Sequence, residues 1–458
     1  MKAGAAMVNI TPKPGTHLAG DVGGYRPAQS VTDPLYAKAV VLESEGRKLC
    51  FLSLDVTIIT GEYTTRVREA AADRFGFERD AVMVHATQTH SAPSVGHFMV
   101  DEDFPPVPSD RQFVRGGDEA FAEFAIEHAV EAIGKADSGL EPVQVGVGSG
   151  VKDGLAFNRR GVMRDGKVCM PWFYSGLQHP LGPTHIRYLE GPTDPEVGVL
   201  CLRNKGMRMV AMLLHYTCHP VNVYAQPGAV VSADWPGAWA AAMQTIHGLS
   251  CVPLVLNGCC GNINPWPAFE PDFHPDHRYM GNALAEVSEK IIHSLSFTEE
   301  STLDWKARKV MLPTRKLNVD QLREAEEYLT QYPEPQWLKD KPNRVEGAWS
   351  RAAWLVSIEL MRRRSPEMPY EVQAFRVGKT AFVALPGEPF VEGQLAIKVG
   401  SPTYPTYVAH CATQYVGYLP PREALLRGGH EVFFCKVAPG SLEIVVDEAK
   451  AMLRELFT

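Results

Sequence analysis

The chain has 458 residues, 45% hydrophobic and 21% charged, an ordinary globular composition with enough length for a large core. Its formal net charge of −8, with no long basic run, leaves no electrostatic footprint for nucleic acid or an anionic membrane surface. No segment approaches the roughly 18 uninterrupted apolar residues of a membrane span, and "MKAGAAMVNITPKPG" breaks into polar and Pro/Gly residues before any signal-type apolar core. The sequence therefore reads as soluble and cytoplasmic. Nine cysteines, several in apolar runs (Cys50, Cys201, Cys251), read as reduced thiols that fill a core.

In chain order, "AKAVVLES" and "KLCFLSLDV" have the pattern of strands, "GEYTTRVREAAADRFG" of a helix, "DAVMVHATQT" of a strand and "DEAFAEFAIEHAVEAIGKA" of a helix. The middle adds the strands "VQVGVGSG", "VGVLCLRN" and "RMVAMLLHY". A helix "SADWPGAWAAAMQTIHG" follows, with Asp234 as its cap and Pro236 in its first turn. "CVPLVLNG" is a buried-type strand, and "RYMGNALAEVSEKIIHSL" carries Met280, Leu284, Val287 and Ile291 on one stripe. From 304 to 369 the chain is rich in charge and Trp, with two helical patterns, and reads as a helical insertion. Strands return with "EVQAFRVGKTAFVALPG" and "TYVAHCATQYVGYLP". No repeat or linker divides the chain, so the expectation is one large α/β domain over residues 1–458, with mixed β-sheets flanked by helices.

Several stretches carry chemistry. "VMVHATQTHSAPSVGHF" holds His85, His90 and His97. If the strand stays extended, Gln88 and His90 share a face and His85 takes the other. Gln88 stands where a second imidazole would complete a His-x-His chelate; its amide oxygen is a harder and weaker ligand, tolerable for zinc with compensation and more natural for Mg, Ca or Mn. In "LLHYTCHPVN" a strand runs into His219-Pro220, and in "VALPGEPF" another stops at Pro386-Gly387 and presents Glu388. "QYVGYLPPRE" offers Tyr415 and Tyr418. "PLVLNGCCGNINPWP" is a strand followed by small residues whose N–H groups suit an anion nest, with Cys259 and Cys260 as packing thiols. "FEPDFHPDHRY" gathers acids and histidines, best read as a solvated loop in which Asp276 caps the next helix.

Taken in order, these pieces resemble the neutral/alkaline, non-lysosomal ceramidase family of zinc-dependent amidases that split N-acyl sphingosine. The resemblance begins at "AGAAMVNITPKPG", passes through "VTDPLYAKAVVLES" and "LSLDV", and ends at "GGHEVFF", leaving out the insertion. The family's "THTHSGP" falls on Thr87 to Pro93, its His-Pro on His219-Pro220, its "PGE" on Pro386-Gly387-Glu388 and its Asn-x-Tyr-x-x-Tyr on Thr413 through Tyr418. The resemblance implies zinc held by His219, Glu388 and Tyr418, with Gln88 in the place of the family's first histidine and His90 on its second. It further implies Arg159 of "LAFNRRG" at the substrate, and puts His430 of "GGHE" where the family has a substrate-side tyrosine and Asn264 where it has a serine. The expectation is a catalytic domain without the family's C-terminal immunoglobulin-like domain.

The expectation is a metal-dependent hydrolase cleaving an N-acyl amide or related bond in a small-molecule substrate. The metal set is Gln88 or His90 with His219, Glu388 and Tyr418, and the ion is Zn2+ unless Gln88 exchanges it for another divalent metal. Catalytic roles fall to His90, Arg159, Asn264 and His430, with the "GCCGNINP" loop near the developing oxyanion. A hydrolase or lyase/isomerase acting on a carbohydrate or other polar substrate is the alternative, a non-catalytic descendant the third. Trp172 to Tyr174 in "PWFYSG" are further pocket candidates. Oligomeric state is not readable.

Overall fold

The computed structural model describes residues 1–171, 185–270, 272–299 and 302–458. Its core is two β-sheets packed face to face with helices outside both. The larger sheet has eight strands: β1 (Lys2–Asn9), β2 (Tyr36–Ser44), β3 (Arg47–Leu54), β4 (Val82–Ala86), β5 (Glu141–Val151), β6 (Glu196–Asn204), β7 (Met209–Tyr216) and β8 (Val252–Asn257), in the order β8-β7-β6-β5-β1-β2-β3-β4. The smaller has four: β9 (Leu303–Pro313), β10 (Glu367–Val377), β11 (Thr380–Ala384) and β12 (Thr406–Ala409). Strands buried on both faces need continuous apolar runs, and "KLCFLSL" and "MVAMLLHY" supply them. Between the sheets, the Phe51 ring meets those of Phe382 at 4.9 Å and Phe375 at 5.7 Å.

Outside the larger sheet lie α1 (Gly61–Phe75) and α2 (Glu119–Ser138) on one half, and α3 (Asp234–His247) and α4 (His277–Ser294) on the other. Helices α5 (Val319–Gln331) and α6 (Gly347–Arg364) follow β9, while α7 (Val391–Gly400) and α8 (Ser441–Phe457) cover the smaller sheet. Asp276 caps α4, its carboxylate accepting from the N–H groups of Arg278 and Tyr279. Asp234 differs from expectation. It is the first residue of α3, and its carboxylate accepts from Val223 N at 2.8 Å and Asn222 Nδ2 at 3.1 Å, tying the helix to the segment after His219. All nine cysteines are free, and all but Cys169 are buried. Among the described residues no helix is long and apolar enough to cross a membrane.

The segment 304–369 is not helical throughout. Its first residues belong to β9 and its last to β10, paired over the full register Leu303↔Val377 to Pro313↔Glu367. Charge masks this strand in the sequence: Arg308 bonds to Glu448 and Glu455 on α8, so its charged side is an ion-paired flank, while Leu303, Trp305 and Leu312 are buried.

Strand β1 lies mid-sheet although "KAGAAMVN" has little strand propensity. Its small residues are there because α2 packs on it: a Cβ at Gly4 would collide with Ala136 O and press on Gly139 C at 2.9 Å. Gly4→Ala is expected to lower unfolding free energy by at least about 1–3 kcal/mol through overpacking; an unchanged urea midpoint would show that α2 can move away freely.

Asp33 joins α4 to the strand region, Oδ2 lying 2.9 Å from His277 Nε2 and accepting from Ser232 Oγ. Burial works against a charged His277, but Asp33 and Asp234 outweigh it and raise its pKa. The charged imidazole therefore stabilises the fold below the ordinary histidine range, and that contribution is lost as pH rises through the raised folded value. The melting-temperature gap between wild type and His277→Asn should accordingly be larger at about pH 5.5 than at about pH 9; a gap independent of pH would remove the charge interaction.

Candidate active site

Five strand ends meet at one place. Pairs β3/β4, β7/β8 and β11/β12 are parallel, so the carboxyl ends of β4, β7, β8, β11 and β12 deliver Gln88, His219, the 258–264 loop, Glu388 and the 410–418 segment to the same edge. Beyond β11 the two-residue strand Glu388–Pro389 pairs in parallel with Tyr418–Leu419 in the register Glu388↔Tyr418, which sets carboxylate and phenol side by side.

His219 and Glu388 form the centre. His219 Nδ1 lies 2.6 Å from Cys260 O and 3.1 Å from Ile263 O, so this nitrogen carries the proton and donates. Nε2 then turns its lone pair toward Glu388 Oε2 at 3.1 Å. Burial and the nearby Arg159 charge lower the His219 pKa and keep the ring neutral. Burial pulls Glu388 upward, while the Arg159 charge and the Tyr415 hydroxyl, which donates to Oε1 at 2.7 Å, pull it below the usual carboxylate range. A neutral imidazole lone pair thus faces an ionised carboxylate, the arrangement of a cation site.

Behind this pair runs a buried charge network. Arg159 donates to Tyr418 Oη at 3.2 Å, to Asn264 Oδ1 at 3.1 Å and, through Nε, to Glu431 Oε1 at 2.7 Å. Arg160 donates to the other oxygen of Glu431 at 2.7 Å and to Glu190. The two arginines hold Glu431 down to about 2 against its burial. Burial raises the Tyr418 phenol and lowers His430 to about 4.

In front lies a cavity of about 460 Å3 lined by Gln88, His90, Glu388, Tyr415, Tyr418 and His430 among others. His219, Arg159 and Asn264 are not on its surface; they stand behind Glu388 and Tyr418. His90 bonds through Nδ1 to Gly20 O at 3.0 Å and, among the described residues, leaves Nε2 unclaimed. Gly20 has φ 89°, and a side chain there would press on the His90 ring at 2.7 Å. Burial lowers His90 to about 3.

Two expectations need correction. Strand β4 ends at Ala86, and Gln88 is left-handed at φ 67°, so strand alternation is not what aims its side chain. Its amide oxygen receives the Cys260 thiol at 3.5 Å. His85 lies elsewhere, bonded to Ser53 Oγ at 3.0 Å and the Asn257 N–H at 3.3 Å. The 258–264 loop is not an open anion nest, because the N–H groups of Gly258, Cys259, Gly261 and Ile263 already bond to Tyr216 O, Gln394 Oε1, Pro389 O and Cys260 O. It serves the site through the carbonyls that orient His219. The Cys259 and Cys260 thiols are buried with pKa values pushed up by desolvation, as packing groups rather than nucleophiles. Trp172 to Tyr174 fall outside the described residues.

No family model matches the chain, and no curated protein matches it. Chains of solved structures do, two of them as follows. A "Ceramidase complexed with C2" is 16% identical at a TM-score of 0.72, covering 100% of this chain and 75% of the other. The neutral ceramidase from Pseudomonas aeruginosa is 17% identical at a TM-score of 0.72, covering 99% of this chain and 74% of the other. The fold is that of the neutral ceramidases. On this ceramidase-like fold, the residue that sequence reasoning missed is Glu431. Two adjacent arginines in "NRRG" cannot be buried without a carboxylate, and Glu431 follows His430 directly. Glu431→Ala is expected to destabilise the protein by about 3–5 kcal/mol, since it leaves two buried guanidinium groups short of a partner; a loss below about 1 kcal/mol in chemical denaturation would mean that water replaces the carboxylate.

Proposed function

We propose that the chain is a metal-dependent hydrolase of N-acyl amides. The observation that carries this reading is the buried pair in which the His219 Nε2 lone pair meets the ionised Glu388 carboxylate at 3.1 Å. Two acceptors held this close away from water call for a cation between them. The donor chemistry fits zinc in part: His219 nitrogen, Glu388 oxygen and Tyr418 oxygen are ligand types for it. Among the described residues no three His, Cys, Asp or Glu side chains gather as a metal set, so His90 does not join His219 and Glu388 in one, and the fourth donor falls to Gln88. A harder oxygen-preferring ion is the other candidate for such a set.

When bound, the metal would supply a Lewis acid for the amide carbonyl and lower the pKa of a water. The chain's own residues supply the rest. Tyr415 fixes the Glu388 carboxylate by its bond to Oε1, and Arg159 fixes the Tyr418 phenol while its charge favours the phenolate. His90, neutral and with Nε2 free, holds or passes a proton at the cavity wall. His430 packs its ring against that of Tyr418 at 5.7 Å and stays neutral beside Arg159, suiting it to orient a polar substrate group.

Glu388→Gln should cut amide hydrolysis by more than about a hundredfold. Zinc at about a hundred times its Kd should stabilise wild type by about 2.7 kcal/mol and Glu388→Gln far less. A melting temperature that zinc, manganese and magnesium all leave unmoved in wild type would sink the reading, whatever the activity.

A further inference from the structure

The cavity in front of Glu388 has a mixed lining. At about 460 Å3 it lies toward the lower end of ligand pockets of roughly 300–1,000 Å3. Apolar Phe98, Phe113, Trp354 and Phe434 share it with Tyr224, Asp21 and Arg344. Tyr224 is held by the His90 ring edge at 5.6 Å and the Arg26 guanidinium at 4.7 Å, yet its hydroxyl takes no hydrogen bond among the described residues. Burial and Asp21 push its pKa up to about 12, so it stays a neutral donor. Arg344 donates to Asp21 Oδ2 and to Val22 O at 3.0 Å, which among the described residues leaves Asp21 Oδ1 as an open acceptor. The chain on either side of Arg344 is stitched across the loop at Gly23–Tyr25, Val345 N donating to Gly23 O at 2.9 Å and Tyr25 N to Asn343 O at 2.7 Å. Arg344 and Asp21 are therefore a fixed part of the wall.

We propose that the amide taken by this site is small: a short acyl group on a hydroxylated amine half of the amino-sugar or amino-polyol class, its hydroxyls bonded by Tyr224, Asp21 and Arg344. The proposal rests on the amide-hydrolase reading. A hydrocarbon chain laid against Asp21 and Arg344 would strip water from an ion pair and return no hydrogen bond. A ring bearing hydroxyls answers a phenol donor, a carboxylate acceptor and a guanidinium donor together, and its C–H face packs on the aromatic rings. In the reaction, the oxygen of water bonds to the amide carbon and the C–N bond breaks. Both protons of the water end on the leaving nitrogen, giving a carboxylate and an ammonium without oxidant or co-reactant.

The test uses the zinc-loaded full chain and three amides: an N-acetyl amino sugar, the N-acetyl derivative of a simple alkylamine, and long-chain N-acyl sphingosine in mixed micelles. The amino-sugar amide should exceed the others in kcat/KM by about tenfold or more. Preference for N-acyl sphingosine overturns the proposal and leaves the hydrolase standing; hydrolysis of none of the three ends both. Tyr224→Phe, which keeps the ring and removes only the hydroxyl, and Asp21→Asn should each lower kcat/KM for the amino-sugar amide by about tenfold and for the alkylamide far less. Equal losses on the two substrates would overturn the assignment of these residues to the hydroxyls.

Discussion

Burying the Glu388 carboxylate is the constraint around which the site is built. A charge cannot leave water unless something answers it. Glu388 has two direct partners, a neutral imidazole and a phenol, and neither is a cation. Arg159, the nearest guanidinium to act on it, is occupied by Glu431, Asn264 and Tyr418, and Arg160 by Glu431 and Glu190. The arginines thus settle their own carboxylates first, and Glu388 keeps a residual demand for positive charge. The carbonyls of Cys260 and Ile263 hold the His219 proton on the far nitrogen, which directs that demand into one open position.

Local backbone geometry shows where the fold accepts strain to keep that position. Gln88, Cys411 and Thr413 have φ of 67°, 43° and 63°, values that cost non-glycine residues about 1–3 kcal/mol each. Each is held by a backbone bond to a neighbouring element: Gln88 N to Val56 O, Cys411 N to Gly387 O and Thr413 N to Val84 O. Gln88 and the 411–413 turn flank the His219–Glu388 pair from opposite sheets, so closing the turns also sets the side chains. The sheets then carry the rigidity, and the loops need little of their own.

What the sequence disclosed, and what it hid, divides along a physical line. Strands β3, β7 and β8 are apolar on both faces, and such runs have few alternative folds. His219 before Pro220 and Glu388 after Pro386-Gly387 are readable for the same reason, each standing where a buried strand must stop. Strand β1 is hidden because its residues answer to the helix packed on them rather than to strand propensity. β9 is hidden because its charges pair with a helix more than a hundred residues away. The turn at Gln88 is invisible to any rule of alternation, since one left-handed residue redirects the chain and the amide together. Glu431 is legible only once Arg159 and Arg160 are known to be buried, and burial is a property of the whole fold.

The glutamine then acquires a physical meaning. A histidine in its place would bring a strong nitrogen donor to a position bounded by Cys260 and Glu388. Gln88 brings a neutral amide, with the Cys260 thiol on its oxygen and, among the described residues, no hydrogen-bond partner for its nitrogen. Under the proposed metal-dependent reading, an ion at Glu388 would be held more weakly on this side and would leave more of the cavity wall as hydrogen-bonding surface. That trade favours a polar ligand over a hydrocarbon one, because a free amide N–H beside an acyl chain would stay unsatisfied. The substitution, the unclaimed Tyr224 hydroxyl and the Asp21–Arg344 pair all lie on the rim of one cavity and ask for the same kind of partner. On the proposed reading, the walls rather than the His219–Glu388 centre would set which amine the site accepts.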